Sequence, residues 1–300
     1  MRAFAWFAGL IAFGLACIAV LSYPAWVWLH PHFDFPFHRI GERLGMLGLL
    51  LAFVPVARHL HLADRRSLGY GLPRRRFLRA LALGLVQGAL SMALVVMLMT
   101  ALGLLEWRSG AAPGAAGLAK LAAAALGSGL AVAFIEETFL RGAMHTAIER
   151  EAGTRAAVWL TALVYAATHF FARYRIPADR VTAWSGVDLL AGTLHEFAQP
   201  FGILDAFACL TAVGVVLGWV RSATGNIAAC IGLHAGWVWV ILMTHAQSEP
   251  NRASAWGFLL SRFDGFVGWL VLAWTLALGL ALRRYYAADS GVTGASTSSR

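Results

Sequence analysis

Residues 133–143, AFIEETFLRGA, decide how the chain folds because they place two adjacent carboxylates inside an otherwise apolar run. Glu136 and Glu137 follow Ala, Phe and Ile, and Arg141 comes four residues after Glu137. In a helix, a glutamate and an arginine at this spacing face each other in the favourable order for an ion pair. Glu136 points about 100° further round the helix and has no partner nearby in the sequence.

The chain as a whole is too apolar for a soluble protein. Of its 300 residues, 59% are hydrophobic and only 13% are charged, and the mean hydropathy is +0.67. A soluble domain has about 25% charged residues. We therefore predict an all-α, polytopic membrane helix bundle, because helices satisfy the backbone hydrogen bonds of long apolar runs in lipid.

About eight transmembrane helices are expected, because each needs about 20 mostly apolar residues. The apolar runs are residues 3–29, 43–62, 77–104, 116–140, 155–172, 201–220, 226–245 and 264–282. Between the fifth and sixth runs, residues 173–200 mix charged, aromatic and glycine residues, so they are predicted to form an interfacial helix or a lid. Residues 285–300 are mostly small and polar, which predicts a disordered tail.

Basic residues indicate the orientation in the membrane. The net charge is +9, and Lys120 is the only lysine among 24 basic residues. Because the arginines cluster between apolar runs, we expect them to orient the chain in a lipid bilayer and not to bind nucleic acid. Seven arginines in residues 58–79 put that segment and both termini in the cytoplasm. The preference for arginine and the high alanine content favour a bacterial inner membrane.

Two histidines lie in other apolar runs and are candidate partners of the glutamates. His169 is in the fifth run and His234 is in the seventh. An ionisable residue inside a membrane is costly, so each is a functional candidate. The structural alternatives are an ion pair for Glu137 and a hydrogen bond between helices for each histidine. If the fourth and fifth helices form a hairpin at residues 152–153, the glutamates and His169 lie at one level, about 24 Å from the turn.

Three short motifs make the chain resemble a known family. Residues 136–141 read EExxxR, residues 165–169 read YxxxH where the family has FxxxH, and Gly225 and Asn226 precede His234 as in its third motif. Over residues 115–245 the chain resembles the CPBP family. These are membrane peptidases related to the type II CAAX prenyl endopeptidase and to bacterial bacteriocin-processing or self-immunity proteins.

The resemblance implies a role for each motif residue. Glu136 is then the general base that activates water, and His169 and His234 are its catalytic partners. Glu137 helps to hold the site and is paired with Arg141.

One position departs from the family pattern. Val238 stands where the family has Asn or Asp, a residue thought to help stabilise the oxyanion. Asn226 is one candidate substitute, about two helical turns from His234.

The chemistry of peptide hydrolysis suits these residue types. It needs a base for water and a hydrogen-bond donor for the developing oxyanion. Two histidines and a glutamate are also a ligand set for Zn²⁺, and that alternative stays open. We prefer a mechanism without a cofactor, because the glutamate pair lacks the HExxH spacing that puts two ligands on one helical face.

The predicted function is an intramembrane endopeptidase that cleaves a membrane-associated protein or peptide. A bacterial sorting-tag or bacteriocin-like precursor is the expected substrate class. One alternative is a catalytically silent binding or immunity protein, which Val238 supports. Another is a proton-coupled transporter, since Glu and His chains relay protons. Transporters usually show paired repeats and broken helices, and neither is evident in this sequence.

The chain divides into four predicted parts. Residues 1–110 hold N-terminal transmembrane helices and the basic cytoplasmic loop, and residues 111–246 hold the CPBP-like catalytic core. Residues 247–284 hold the last transmembrane helix, and residues 285–300 are the tail.

Overall fold

The computed structural model describes residues 1–108, 114–171 and 174–295, without the side chains of residues 193, 196 and 287–295. Nine α-helices occur in this part of the chain. They are α1 (Arg2–Leu29), α2 (Phe37–His59), α3 (Arg74–Ala101), α4 (Ala115–Glu137), α5 (His145–Thr168), α6 (Ser185–Phe197), α7 (Pro200–Thr224), α8 (Ala228–His245) and α9 (Trp269–Ala295). The all-α prediction is confirmed.

The helices form a multi-pass membrane bundle. Six helical runs among the described residues are long and apolar enough to cross a membrane, and one of them is the 54-residue run Ala115–Thr168. That run contains the fourth and fifth predicted spans, and α9 corresponds to the eighth. Large apolar side chains on the outer faces are exposed to the surroundings, as a lipid-facing surface requires. They include Phe13, Leu51, Leu90, Phe134 and Leu280.

Several boundaries differ from those predicted. Helix α2 begins at Phe37 and not at residue 43, and α9 begins at Trp269 and not at residue 264. Helix α9 also continues to Ala295, so the expectation of disorder from residue 285 is wrong for the described part of the tail. Residues 296–300 and the predicted boundary at 110/111 lie outside the described residues, and the other domain limits stay predictions.

A short antiparallel ribbon joins the ends of α3 and α8. Strand β1 (Leu105–Trp107) pairs with β2 (Ser248–Pro250), with Glu106 opposite Glu249. The sequence did not indicate these strands, because three residues are too few to show an alternating pattern. The ribbon ties the two helices together at the end opposite the arginine-rich loop.

Helices α3 and α8 approach each other closely through glycines four residues apart. On α3, a Cβ added at Gly84 or Gly88 would lie 2.6 Å or 2.3 Å from a backbone oxygen of α8. On α8, the same atom at Gly232 or Gly236 would lie 2.2 Å or 2.5 Å from a backbone oxygen of α3. Small residues at this spacing let membrane helices touch backbone to backbone. His234 lies between the two glycines of α8 and is held at a fixed depth by this contact.

Helix α6 lies within the segment predicted to be interfacial. It packs against α1, where a Cβ added at Gly186 would lie 2.2 Å from the carbonyl oxygen of Ala19. Leu189 of the same helix is buried. The helix predicted in residues 173–200 is therefore present, and it lies against the membrane bundle.

The chain reverses direction at Gly153. In one continuous helix, Arg141 and Tyr165 would be about 36 Å apart, but the guanidinium carbon lies 4.7 Å from the ring centroid of Tyr165. Gly153 has a φ of 83°, a left-handed backbone conformation that interrupts α5 and favours glycine. The hairpin predicted at residues 152–153 is therefore confirmed. Its two arms carry the carboxylates and His169 back to one level.

Candidate active site

The ion pair expected between Glu137 and Arg141 is present and completely buried. Arg141 Nη1 donates to Glu137 Oε1 at 3.0 Å, and both side chains are 0% exposed. The other arm of the guanidinium donates to the carbonyl oxygen of Gly214 on α7 at 3.2 Å. Removing one partner of such a pair leaves an uncompensated buried charge. The pair therefore fixes α4 against α7 as well as neutralising a carboxylate.

The backbone after Glu137 is wound as a π-helix over Thr138–Met144. Such turns are rare and occur frequently at functional sites. Arg221 Nε donates to the carbonyl oxygen of Arg141 at 2.9 Å, and Arg221 Nη2 donates to Thr146 Oγ1 at 3.2 Å. Arg221 is buried and was missed in the sequence, where an arginine at the end of an apolar run also fits an orienting role. It holds the wound turn from α7.

His234 lies between the two glutamates. Its Nδ1 is 2.9 Å from Glu137 Oε1, and its Nε2 is 3.9 Å from Glu136 Oε2. The side chain of Glu136 is 33% exposed, whereas that of Glu137 is 0% exposed. Glu136 Oε2 and Glu137 Oε2 are buried without a hydrogen-bond partner in the described structure. Glu136 Oε2 is therefore free to receive a hydrogen bond from water or a substrate.

His169 reaches the site through Tyr165. Its Nδ1 is 2.7 Å from the carbonyl oxygen of Tyr165, and the two ring centroids are 4.4 Å apart. The Tyr165 ring also lies 5.9 Å from the ring of His234. No described hydrogen bond joins His169 to either glutamate. The sequence predicts that His169 and the glutamates lie at one level of the hairpin, and this arrangement agrees with that prediction. Tyr165, however, lies at the centre of the arrangement.

A cavity of about 220 Å³ opens beside these residues. Tyr165, His169 and His234 line one part of it, and Val271, Trp274 and Leu278 of α9 line another. Most of the lining is apolar, so the cavity offers little competition for hydrogen bonds at its polar end. Its lining residue His234 is bonded to Glu137, so the polar end of the cavity adjoins the carboxylates.

Comparison with known proteins covers the same part of the chain. Residues 118–240 match the family described as type II CAAX prenyl endopeptidase Rce1-like. This match supports the resemblance of the segment to the CPBP family. The match contains both glutamates and both histidines, whereas α1, α2, α3 and α9 lie outside it. No curated protein and no solved structure matches the chain.

Within the matched segment, neither Asn226 nor Val238 is hydrogen-bonded to the carboxylates in the described structure. Asn226 Nδ2 donates to the carbonyl oxygen of Thr224 at 2.9 Å, and its Oδ1 accepts from the amide of Ala228 at 2.9 Å. These bonds start α8 and use the side chain locally. Val238 lines the cavity one turn after His234 and offers no polar atom there.

His145 is buried although the residues around it, 141–151, are mostly polar. It is 0% exposed, and its Nε2 lies 3.3 Å from Ser222 Oγ on α7. His195, in contrast, is exposed on α6.

The loop between α2 and α3 docks on the wound turn after Glu137. Thr146 Oγ1 donates to the carbonyl oxygen of Ser67 at 2.8 Å, and the hydroxyl groups of Tyr70 and Thr138 are 2.5 Å apart. Burial raises the pKa of Tyr70. Hydrogen bonds from the Ser67 hydroxyl and amide lower the pKa of Asp64. The loop is thus a folded element that supports the turn after Glu137.

Metal ligation has no preassembled set of side chains in the described structure. Among residues 1–108, 114–171 and 174–295, no group of three or more His, Cys, Asp or Glu side chains is arranged to hold a metal ion. Glu137 is already bonded to Arg141 and His234.

Proposed function

We propose that the protein hydrolyses a peptide bond of a membrane-associated protein or peptide, with Glu136 as the general base. The observation that carries this proposal is the different environment of the two adjacent glutamates. Glu137 is tied to Arg141 and His234. Glu136 has no such ties, is partly exposed and lies near His234. A base must be free to take a proton, and Glu136 meets that requirement.

In the proposed reaction, water attacks the carbonyl carbon of the scissile bond and gives its proton to Glu136. The tetrahedral intermediate then collapses, the C–N bond breaks, and the proton on Glu136 passes to the leaving amine. His234 and His169 position the water. Glu137 and Arg141 keep the helix in the geometry that presents Glu136. No metal or other cofactor is required by this scheme.

We further propose that the protein lies in a bacterial inner membrane with both termini in the cytoplasm. The arginines of residues 58–79 support this orientation. The apolar cavity supports a substrate with an apolar segment, such as a sorting-tag or bacteriocin-like precursor. The peptide bond is then presented laterally, from within the bilayer.

The test is cleavage of a pool of lipid-anchored, internally quenched fluorescent peptides by the full chain reconstituted in vesicles. Glu136→Gln and His234→Ala are compared with Glu249→Gln and His195→Ala, which alter exposed residues. We expect a 100-fold to 10,000-fold loss for Glu136→Gln, because general bases contribute about this much. The two control variants are expected to keep the activity of the wild type.

Each other outcome has a definite meaning. Cleavage that persists in Glu136→Gln contradicts the assignment of the base. Cleavage lost only on addition of a chelator supports a zinc mechanism. If the wild type binds the peptides without cleaving them, and Glu136→Gln binds equally well, the protein is a binding or immunity protein.

A further inference from the structure

The donor for the oxyanion is the part of the reaction that the site does not obviously supply. Peptide hydrolysis places negative charge on the carbonyl oxygen, and a preorganised donor there contributes strongly to the rate. On α8, the cavity wall one turn beyond His234 is formed by Val238, which has no donor. A donor must therefore come from another wall of the same cavity.

Most polar groups that line the cavity are already committed. Trp237 Nε1 donates to Ser91 Oγ at 2.9 Å, and Ser91 Oγ donates to the carbonyl oxygen of Gly88 at 2.9 Å. His234 Nδ1 is bonded to Glu137. The indole N–H of Trp274 is unpartnered in the described structure, but Trp274 belongs to α9, which packs mainly against α7.

His169 Nδ1 is bonded to the carbonyl oxygen of Tyr165. Tyr165 is itself a candidate donor, and it lies at the centre of the site. Its side chain is 4% exposed and lines the cavity. Its ring lies under the Arg141 guanidinium at 4.7 Å and against the rings of His169 and His234. The hydrogen bond between His169 and Tyr165 uses the carbonyl oxygen of Tyr165 and not its hydroxyl. A buried tyrosine hydroxyl usually has a partner, so this one is available to a ligand.

We infer that the Tyr165 hydroxyl donates a hydrogen bond to the carbonyl oxygen of the scissile bond and stabilises the oxyanion. This inference rests on the proposed peptidase function. Tyr165 keeps its proton throughout, and the proton of the attacking water goes to Glu136 and then to the leaving amine. Atoms and charges therefore balance without a further reactant.

Arg141 strengthens this donor. A cation over an aromatic face is attracted to the electron density of the ring. When the hydroxyl donates to an anion, electron density shifts from the oxygen toward the ring, and the guanidinium at 4.7 Å stabilises that shift. The buried arginine thus holds Glu137 with one arm and polarises Tyr165 with its face.

The test removes only the hydroxyl. Tyr165→Phe retains the ring and its contacts, so folding and peptide binding are preserved. We expect kcat for the fluorescent peptide pool to fall 100-fold to 1,000-fold, as for loss of an oxyanion donor, with KM unchanged. Tyr285→Phe, which removes the hydroxyl of an exposed tyrosine of α9 outside the cavity, is the matched control and should change kcat less than threefold.

A second variant distinguishes donation from packing. Val238→Asn places an amide on the α8 wall of the cavity, one turn from His234. In the Tyr165→Phe background it should restore kcat at least tenfold, which a purely structural role of Tyr165 does not predict.

Two results would overturn the inference. One is a Tyr165→Phe enzyme within threefold of the wild type while Glu136→Gln is inactive, which leaves the peptidase function standing. The other is equal cleavage by all variants including Glu136→Gln, which removes the proposed function as well.

Discussion

Replacing Arg141 by Met should destabilise the fold more than any change at an exposed arginine. Arg141 is 0% exposed, bonds Glu137 at 3.0 Å and the Gly214 carbonyl at 3.2 Å. Methionine fills much of the volume but leaves the carboxylate buried without its counter-charge. Breaking such a pair costs about 3–5 kcal/mol, which is about 100-fold to 5,000-fold in the unfolding equilibrium at 1.4 kcal/mol per factor of ten.

The free energy of unfolding is measured by far-UV circular dichroism during titration of mixed micelles with a denaturing detergent. Arg155→Met is the control, because Arg155 is exposed on α5. We expect it to change the free energy of unfolding by less than about 0.5 kcal/mol.

The double variant Glu137→Gln, Arg141→Met tests the electrostatic origin of the effect. It removes both charges, so it should cost less than Arg141→Met alone, since no isolated charge remains. Arg141 does not neutralise a buried carboxylate if Arg141→Met costs less than about 1 kcal/mol. The same follows if the cost of the double variant equals the sum of the costs of Arg141→Met and Glu137→Gln measured separately.

Three further predictions concern the turn after Glu137 and the loop that supports it. Gly142→Ala should destabilise the protein by about 1–3 kcal/mol, since the new Cβ would lie 2.6 Å from the Leu68 carbonyl oxygen. The control Gly127→Ala meets nothing within 4 Å. It should instead stabilise the protein by about 0.5–1 kcal/mol in the same titration. Thr146→Val should cost about 1–3 kcal/mol, because it leaves its buried hydrogen-bond partners unsatisfied, and unchanged stability would exclude this link. Because the pKa of Asp64 is depressed below its ordinary value of 3.8, its stabilisation of the loop is present above that pH and is lost as the pH falls through the lower value. Hydrogen exchange of the Ser67 amide should therefore accelerate with acid relative to its intrinsic rate, and Asp64→Asn should remove this pH dependence.

Much of the site was predictable from the sequence, because a charged residue inside an apolar run is easily recognised there and is costly to bury. Glu136, Glu137 and Arg141 stand out in an apolar run, and the ion pair follows from their spacing. His169 and His234 stand out for the same reason. The turn at Gly153 is marked by polar residues around a glycine, and the structure has the chain reverse there.

Other features carried a weaker signal. The glycine pairs on α3 and α8 are written in the sequence as GxxxG, but that pattern does not reveal which helices meet. Tyr165 looks like an ordinary aromatic residue of a membrane helix. Arg221 looks like an orienting charge, and His145 looks exposed because its neighbours are polar.

The sequence by itself determined that the chain crosses a membrane in helices and that two glutamates and two histidines are its costly residues. Composition and local spacing contain this information, because transfer to lipid acts on each residue separately. Only the tertiary structure decided that His234 is bonded to Glu137 and that Glu136 stays partly exposed beside the same ring. It also decided that Tyr165 lies between Arg141 and both histidines. Those contacts depend on how α4, α5, α7 and α8 pack against one another. That packing results from contacts between residues that are distant in the sequence.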